Sequence, residues 1–192
     1  MPDLRVDSSA SSPDSVTGVG FRQPTLDDGA AMWRMARDSQ VLDVNTSYAY
    51  LLWARDFAAT SVVALDNDAD NDADSSDGSS DGAPCGFVSG YRRPDQPDTL
   101  MVWQVAVDSS QRGRGIAKKM LDWLFDHDPE VSVMETTITE DNAASIALFS
   151  SFAQARGMSF DRSPLFEASD FPDDPEHPEG HDAELLFRMA PR

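Results

Sequence analysis

The chain has 192 residues with 40% hydrophobic side chains, and 34 acidic against 15 basic residues give it a formal net charge of −19. Such a chain can bury the core of one domain, and its single cysteine excludes an internal disulfide framework. The charge argues against nucleic acid as a partner, and the lack of an export signal or of an ~18-residue apolar run predicts a cytoplasmic protein without a membrane partner.

The chain begins with a polar segment, followed by a strand and two helices. Residues 1–18 are rich in serine and aspartate, so we expect a loose tail before a first strand at Val19–Gln23. Thr25 and Asp28 form a weak capping box, which indicates that a helix begins there. Its apolar face carries Met32, Met35 and Ala36 at helical spacing. A second helix is predicted over Ser47–Phe57.

Seven aspartates in the run Asp66–Asp81 separate two strand-like segments, Thr60–Leu65 and Cys85–Arg92. Spaced aspartates are also found in calcium loops, but the closing glutamate and the flanking helices of an EF-hand are missing here. We therefore expect a solvated acidic loop over residues 66–83 that lengthens a hairpin connection.

The second half of the chain alternates strands and helices. The predicted elements are a strand at Leu100–Val107, a helix from Gly113 to about Asp126, a strand at Val133–Thr139, a helix at Ala143–Arg156 and a strand at Glu184–Met189. This order indicates an α/β fold in which helices are layered on one mixed sheet. We expect a single domain over residues 19–192.

A glycine-rich turn between a strand and a helix, within Val105–Ala117, indicates an anion-binding site. The first N–H groups of the helix are unpaired and aligned with the positive end of its dipole, and Gly113 and Gly115 would let a pyrophosphate approach the backbone. Four of the 15 basic residues lie within eight positions here: Arg112, Arg114, Lys118 and Lys119. The segment lacks the GK[ST] of a Walker A loop and the three spaced glycines of a dinucleotide fold. An ordinary turn before a surface helix is the alternative.

Two motifs resemble those of the GNAT acyltransferases. Residues 112–117, RGRGIA, are similar to the family's R/Q-x-x-G-x-G/A signature, and residues 142–149, NAASIALF, are similar to its N-x-x-A/S-x-x-L-Y/F segment. The resemblance implies one GNAT domain with a mixed, mostly antiparallel sheet flanked by helices, a homodimer, and acetyl-CoA as cosubstrate. The acetyl-CoA contacts that it implies are Val105, Val107, Arg112, Gly113, Arg114, Gly115, Ala117, Asn142 and Ser145. Asn142 would also cap the helix that follows it, and the two roles can coexist.

One position departs from the family pattern. Many GNAT enzymes carry a tyrosine near position 149 that protonates the departing thiolate, whereas this chain has Phe149. A thiol with a pKa of ~8.5 can leave as the thiolate or take a proton from water, so acetyl transfer needs no such acid. No general acid is assigned.

Further segments resemble the branch of this family that acetylates a diamino acid: Phe21–Thr25, Val41–Leu52, Pro94–Leu100 running into Val102–Val107, and Ser163–Phe166. This narrower resemblance implies transfer of acetyl to the N4 amine of L-2,4-diaminobutyrate in the biosynthesis of ectoine, an osmolyte. The composition indicates salt adaptation independently, because 27 Asp against 7 Glu and 13 Arg against 2 Lys provide short carboxylates that hold water and counter-ions. We therefore expect a halophilic source.

The resemblance also implies contacts with the diamine, namely Asp43, Tyr48, Tyr50, Trp103, His181 and Glu184. The base that takes a proton from the reacting amine is expected to be Glu135, with Glu184 as its competitor. Asp43 has an alternative role in a turn, Trp103 in the core and His181 in a solvated loop. The three histidines and one cysteine show no ligand spacing, so no metal site is predicted.

Two rival functions remain open from the sequence. The first is acetylation of another amine, a polyamine or a peptide N-terminus, by an enzyme of the same fold. The second is a catalytically silent acetyl-CoA sensor, which the missing tyrosine makes conceivable. Turnover of any amine would exclude the sensor.

Overall fold

The computed structural model describes residues 18–39, 42, 44–68, 82–172 and 180–192. The predicted tail, apart from Gly18, and most of the predicted acidic loop at 66–83 lie outside these residues. Both therefore stay predictions.

Within the described residues, seven strands form one mixed sheet in the order β1-β2-β3-β4-β5-β7-β6. The strands are β1 (Val19–Arg22), β2 (Val62–Asp66), β3 (Ala83–Arg93), β4 (Gln96–Val107), β5 (Val133–Thr139), β6 (Asp161–Phe166) and β7 (Glu184–Met189). Every neighbouring pair is antiparallel except β4 with β5. The expected mixed, mostly antiparallel sheet in an α/β domain is thus confirmed.

Helices pack on both faces of this sheet. They are α1 (Gly29–Ser39), α2 (Ser47–Asp56), α3 (Ile116–His127) and α4 (Ala143–Ala155). Helices α3 and α4 bury their apolar faces with alternate residues of β2 such as Val62 and Ala64, while α1 and α2 pack on the intervening Val63 and Leu65. Because side chains alternate along a strand, one sheet serves two separate cores.

The prediction missed strand β6. All six of its residues are exposed, so it lacks the apolar alternation that reveals a half-buried strand, and Pro164 in its middle argues against a strand. The strand lies at the edge of the sheet and pairs with β7 alone among the described strands. A proline without an N–H is tolerated at such an edge.

The predicted capping box at Thr25 is confirmed and extends into a partly buried ion pair. The Asp28 carboxylate accepts hydrogen bonds from the Thr25 backbone N–H at 2.6 Å and from both terminal nitrogens of Arg22 at 2.6 and 3.0 Å. Burial raises the pKa of Asp28, but the hydrogen bonds from Arg22 and Thr25 outweigh it and hold the pKa below its ordinary value.

We expect Asp28→Asn to destabilise the fold by about 2 kcal/mol, less than the ~3–5 kcal/mol for a wholly buried pair because Arg22 is partly in solvent. Because the folded-state pKa is depressed, the stability that Asp28 contributes is present at neutral pH and is lost as the pH falls through that pKa. Urea denaturation at pH 7 and pH 3 should show that the difference in unfolding free energy between wild type and variant is smaller at pH 3. Asp56→Asn, at an exposed pair with Arg55, should change neither curve.

Candidate active site

The predicted glycine turn lies where α3 begins. Gly113 and Gly115 have φ angles of +80° and +72°, in the left-handed region that L side chains rarely adopt. A Cβ at either position would meet no atom within 4 Å, so the backbone conformation and not crowding requires glycine there. The helix starts at Ile116, three residues later than predicted, because both glycines hold the chain out of the helical region.

The turn is tied to the body of the sheet. Arg114 donates to the side chain of Gln111, whose amide donates in turn to Asp66 at the end of β2, at 2.6 Å. Lys118 pairs with Asp122 one helical turn further on, at 2.9 Å. Part of the predicted basic cluster is therefore paired within the chain, while Arg112 is exposed beside the turn.

Strands β4 and β5 are paired over part of their length only. Their parallel ladder joins Thr99–Val102 to Val133–Thr136, and no further pair between these two strands occurs among the described residues. Beyond it, β4 continues to Val107 and β5 to Thr139. Beyond the ladder the facing backbone groups of β4 and β5 are not paired with each other, and we call this opening the wedge. Such groups are the ones that β-strand addition of an extended ligand uses.

Each of the two strands that border this wedge leads to the N-terminus of a helix. Strand β4 leads to the glycine turn and α3, and β5 leads to Asn142, whose Oδ1 accepts from the Ser145 backbone N–H at 3.0 Å and caps α4. Predicted contacts Val105 and Val107 are partly buried on β4 and packed against the α3/α4 core, and Ala117 lies in the first turn of α3. The structure thus brings the predicted acetyl-CoA contacts to one end of the sheet.

An aromatic wall covers the other sheet face beside this wedge. The register of β3 with β4 shifts between Ser89 and Gly90, which makes Trp103 an extra residue on β4. Its ring stacks on Trp53 of α2 with centroids 4.1 Å apart, and Trp53 stacks on Phe57 at 4.8 Å. Trp103 therefore both packs on α2 and borders the end of the β4–β5 ladder.

Glu135, the predicted base, lies buried on β5 between two arginines. Its carboxylate accepts from Arg93 at 3.1 Å and from Arg188 at 3.0 Å, and its side chain is 3% exposed. Glu135 lies opposite Met101 on β4 and opposite Arg188 on β7, one position before the end of the β4–β5 ladder. Both carboxylate oxygens are thus engaged by guanidinium groups.

The competing carboxylate, Glu184, lies on the same sheet face at the other end of β5. It is paired with Thr139, four residues from Glu135, so the two backbones are ~13 Å apart at about 3.3 Å per residue. Glu184 is partly buried at the start of β7. The two glutamates therefore occupy different ends of the candidate site.

Three further predicted residues lie in different environments. His181 stacks on Phe171 at 3.7 Å, and its Nδ1 lies 2.7 Å from the backbone oxygen of Asp182. Tyr48 is 66% exposed on α2, whereas Tyr50 is fully buried against Phe87 and Trp103. Tyr50 thus supports the aromatic wall from beneath.

Asp43 lies outside the described residues, so its predicted role is untouched. Phe149 is buried in the core on α4 and is 2% exposed. Its ring is therefore a packing element, in agreement with the absence of an assigned acid at this position.

Sequence reasoning missed three residues at this site, Arg93, Arg188 and Trp53. The alternation in Glu184–Met189 could have put Arg188 on the face of Glu184, but its pairing with Glu135 spans 53 positions. Trp53 is visible as an aromatic in a predicted helix, without any local sign that it stacks on Trp103.

Neither a metal centre nor a membrane segment is found in the part of the chain that the structure describes. It contains no group of three or more His, Cys, Asp or Glu side chains placed to hold an ion. Every helix within the same ranges is too short or too polar to span a bilayer.

Comparison with known proteins agrees with this geometry. A model of the Acetyltransferase (GNAT) family matches residues 33–153. The L-2,4-diaminobutyric acid acetyltransferase of Streptomyces coelicolor is 49% identical over 172 residues, which are 88% of this chain and 91% of the relative. That of Streptomyces avermitilis is 46% identical over 91% of this chain and 89% of its own.

A solved structure is similar over almost the whole chain. It is the diaminobutyrate acetyltransferase EctA from Paenibacillus lautus, in complex with its substrate L-2,4-diaminobutyric acid and coenzyme A. It is 35% identical, with a TM-score of 0.77 over 90% of this chain and 95% of that chain.

Proposed function

This chain belongs to the acetyltransferase (GNAT) family, among the L-2,4-diaminobutyric acid acetyltransferases, and we propose that it acetylates the N4 amine of L-2,4-diaminobutyrate with acetyl-CoA. The observation that carries the proposal is the wedge beyond the Val102 and Thr136 pair, where both strands run into helix N-termini. An extended thioester with a pyrophosphate fits the wedge and the glycine turn, and a small amine fits the aromatic and ionic face beside them.

The acetyl-CoA contacts follow from these groups. Backbone groups of Val105 and Val107 would bind the arm of the cosubstrate, and the turn at Arg112–Gly115 with the first N–H groups of α3 would bind its pyrophosphate. Asn142 and Ser145 would contact the arm from the N-terminus of α4. Holding the thioester between two strands orients its carbonyl toward the face that carries Trp103.

Attack on the thioester requires the neutral form of the N4 amine. In our proposal Glu184, directly or through water, takes a proton from the N4 ammonium, and the amine nitrogen then attacks the thioester carbonyl carbon. The tetrahedral adduct loses the CoA thiolate, and the nitrogen gives its second proton to solvent as the amide forms. The thiolate takes a proton from solvent, because the buried Phe149 supplies none. Trp103, Tyr48, His181 and Asp43 would enclose the diamine.

The setting of the enzyme is also part of the proposal. We place it in the cytoplasm as a homodimer whose product enters ectoine biosynthesis, with no nucleic acid as partner. Leu165 and Phe166 on edge strand β6 are 43% and 45% exposed and are apolar surface that a second copy would cover. The molar mass from light scattering, measured as the protein elutes from a size-exclusion column, tests whether it is a dimer.

A thiol-release assay with acetyl-CoA in high salt tests the activity. We expect selective turnover of L-2,4-diaminobutyrate over ornithine, lysine and a peptide amine, with N4 acetylation identified by NMR. Preference for a peptide or polyamine would replace the substrate assignment. Acetyl-CoA binding without turnover of any amine would support a sensor instead.

Cys85 is not expected to interfere with that assay. Burial, with the nearby negative charge of Asp66, raises the pKa of its thiol from about 9 to about 11, so at pH 8 almost none of it is the reactive thiolate. We expect the folded protein to react with a thiol reagent far more slowly than free CoA does. In denaturant one thiol per chain should react rapidly, and equally fast labelling of the folded protein would contradict the burial.

We expect salt to stabilise the protein, in accord with the proposed halophilic source. The Debye length falls to ~3 Å in 1 M salt, and this stronger screening weakens the mutual repulsion within a chain of net charge −19. A gain of about 2 kcal/mol would raise Tm by roughly 4–8 °C for a chain of this size. Calorimetry in 0.05 and 2 M potassium chloride measures the shift, and an unchanged Tm would count against salt adaptation.

A further inference from the structure

The buried Glu135 is paired with two arginines that the acetyl-transfer steps described above do not use. Glu135 is 3% exposed, while the side chains of Arg93 and Arg188 are 32% and 41% exposed. Two guanidinium groups thus converge on one carboxylate and extend toward solvent, in a chain whose net charge is −19. Such a pairing leaves local positive charge that one glutamate does not cancel.

The other charged groups around these arginines lie toward the rim. Asp95, in the β3–β4 turn, contacts Arg93 at 3.1 Å and is 67% exposed. Asp161 lies opposite Arg188 on edge strand β6 and is exposed. Solvent screens both carboxylates, so they offset the arginines less than the buried Glu135 does.

Strand register places this pair on the face proposed for the diamine. Glu135 and Arg188 are directly opposite each other, and the next pair on the same face is Thr137 with Leu186, at the end where the wedge opens. Two residues along a strand are ~7 Å, slightly more than the extended length of a four-carbon diamino acid from its N4 amine to its carboxylate. An amine at the wedge would thus direct its carboxylate toward Arg188.

The donor geometry of Arg188 also fits a carboxylate. Glu135 accepts from the Nε of Arg188, while the two terminal nitrogens of a guanidinium carry four more N–H groups. A terminal pair of N–H groups binds a carboxylate in a bidentate manner, which lysine cannot reproduce. Glu135 holds Arg188 and Arg93 together through its two oxygens.

We propose that Arg188 binds the α-carboxylate of the amino acid substrate, and that Glu135 is a positioning residue which orients Arg188 and is not the base. This inference rests on the proposed function. It assigns the recognition of the carboxylate to β5 and β7, at the opposite end of the face from Glu184. It also explains why a glutamate is buried at that position.

The test compares L-2,4-diaminobutyrate with 1,3-diaminopropane, which is the same diamine without the carboxylate. For Arg188→Gln we expect kcat/KM to fall about 10- to 100-fold for diaminobutyrate, mostly through KM, and to change little for diaminopropane. Arg162→Gln, at an exposed arginine on neighbouring β6, is the matched control and should leave both values unchanged. Circular dichroism checks that each variant is folded.

Glu135→Gln separates positioning from proton transfer. We expect it to raise the KM for diaminobutyrate severalfold, to keep kcat within about threefold, and to leave the pH profile of kcat unchanged. A roughly 100-fold or larger loss of turnover with both amines would make Glu135 the base and overturn its positioning role. If this variant does not fold, the comparison of the two amines with Arg188→Gln still decides whether Arg188 binds the carboxylate.

The outcomes also distinguish the inference from the function on which it rests. Wild-type turnover of diaminobutyrate with an unchanged preference in Arg188→Gln would overturn the inference alone. Wild-type inactivity toward diaminobutyrate would overturn the proposed function, and the inference with it.

Discussion

Replacement of Gly115 by alanine is expected to raise the KM for acetyl-CoA at least tenfold, which corresponds to about 1.4 kcal/mol of lost binding. Gly115 caps α3 with a φ angle of +72°, a conformation that costs an alanine about 1–2 kcal/mol. Relaxation of that strain would turn the first N–H groups of the helix away from the pyrophosphate. Initial rates at varied acetyl-CoA and saturating diamine measure the effect.

Gly157 supplies the matched control for this substitution. It has a φ angle of +66° just after α4, and a Cβ there would also meet no atom within 4 Å. Gly157→Ala should therefore lower Tm to a similar extent without changing the KM for acetyl-CoA. Equal KM values for the two variants would mean that the glycine turn does not bind the cosubstrate.

We expect Glu184→Gln to lower kcat by about 10²–10⁴-fold, the usual contribution of general base catalysis. The change removes the proton acceptor and keeps the shape, so the KM for acetyl-CoA should stay close to its wild-type value. Turnover by the variant should recover with rising pH as the amine loses its proton to solvent. Steady-state rates between pH 6 and pH 10 measure both effects.

Glu140→Gln is the control for Glu184. Glu140 follows β5, is 78% exposed, and pairs with Arg162 at 3.4 Å. It should retain the wild-type kcat at every pH. If Glu184→Gln also retained it, Glu184 would not be the base, and the proton would pass to water or to Glu135, the other candidate on this face.

Local features of the chain were predictable because they depend on neighbouring residues. Helical spacing at Met32, Met35 and Ala36 indicated α1, and the strands at Val133–Thr139 and Glu184–Met189 have the predicted bounds. Strand β6 was missed because an exposed edge strand needs no apolar alternation. The glycine turn was located correctly, but the start of α3 depends on two positive φ angles that a helical pattern does not reveal.

Side-chain partners were less predictable at the candidate site. Tyr48 and Tyr50 are two positions apart on a helix and so point to different sides, and the packing of α2 on the sheet decides which of them is buried. Glu135 was recognised as a residue of the site, but its two arginines are 42 and 53 positions away. No spacing rule connects residues so far apart.

The sequence by itself determined the order of the elements other than β6, the glycine turn, the family motifs and the acidic net charge, because each depends on local pattern or composition. The tertiary structure decided where the β4–β5 ladder ends, which aromatic rings form the wall and which groups surround Glu135. These features depend on the register between strands that are distant in the chain. Register is set by how whole strands and helices pack together, and the sequence of a single segment does not specify which segments it pairs with.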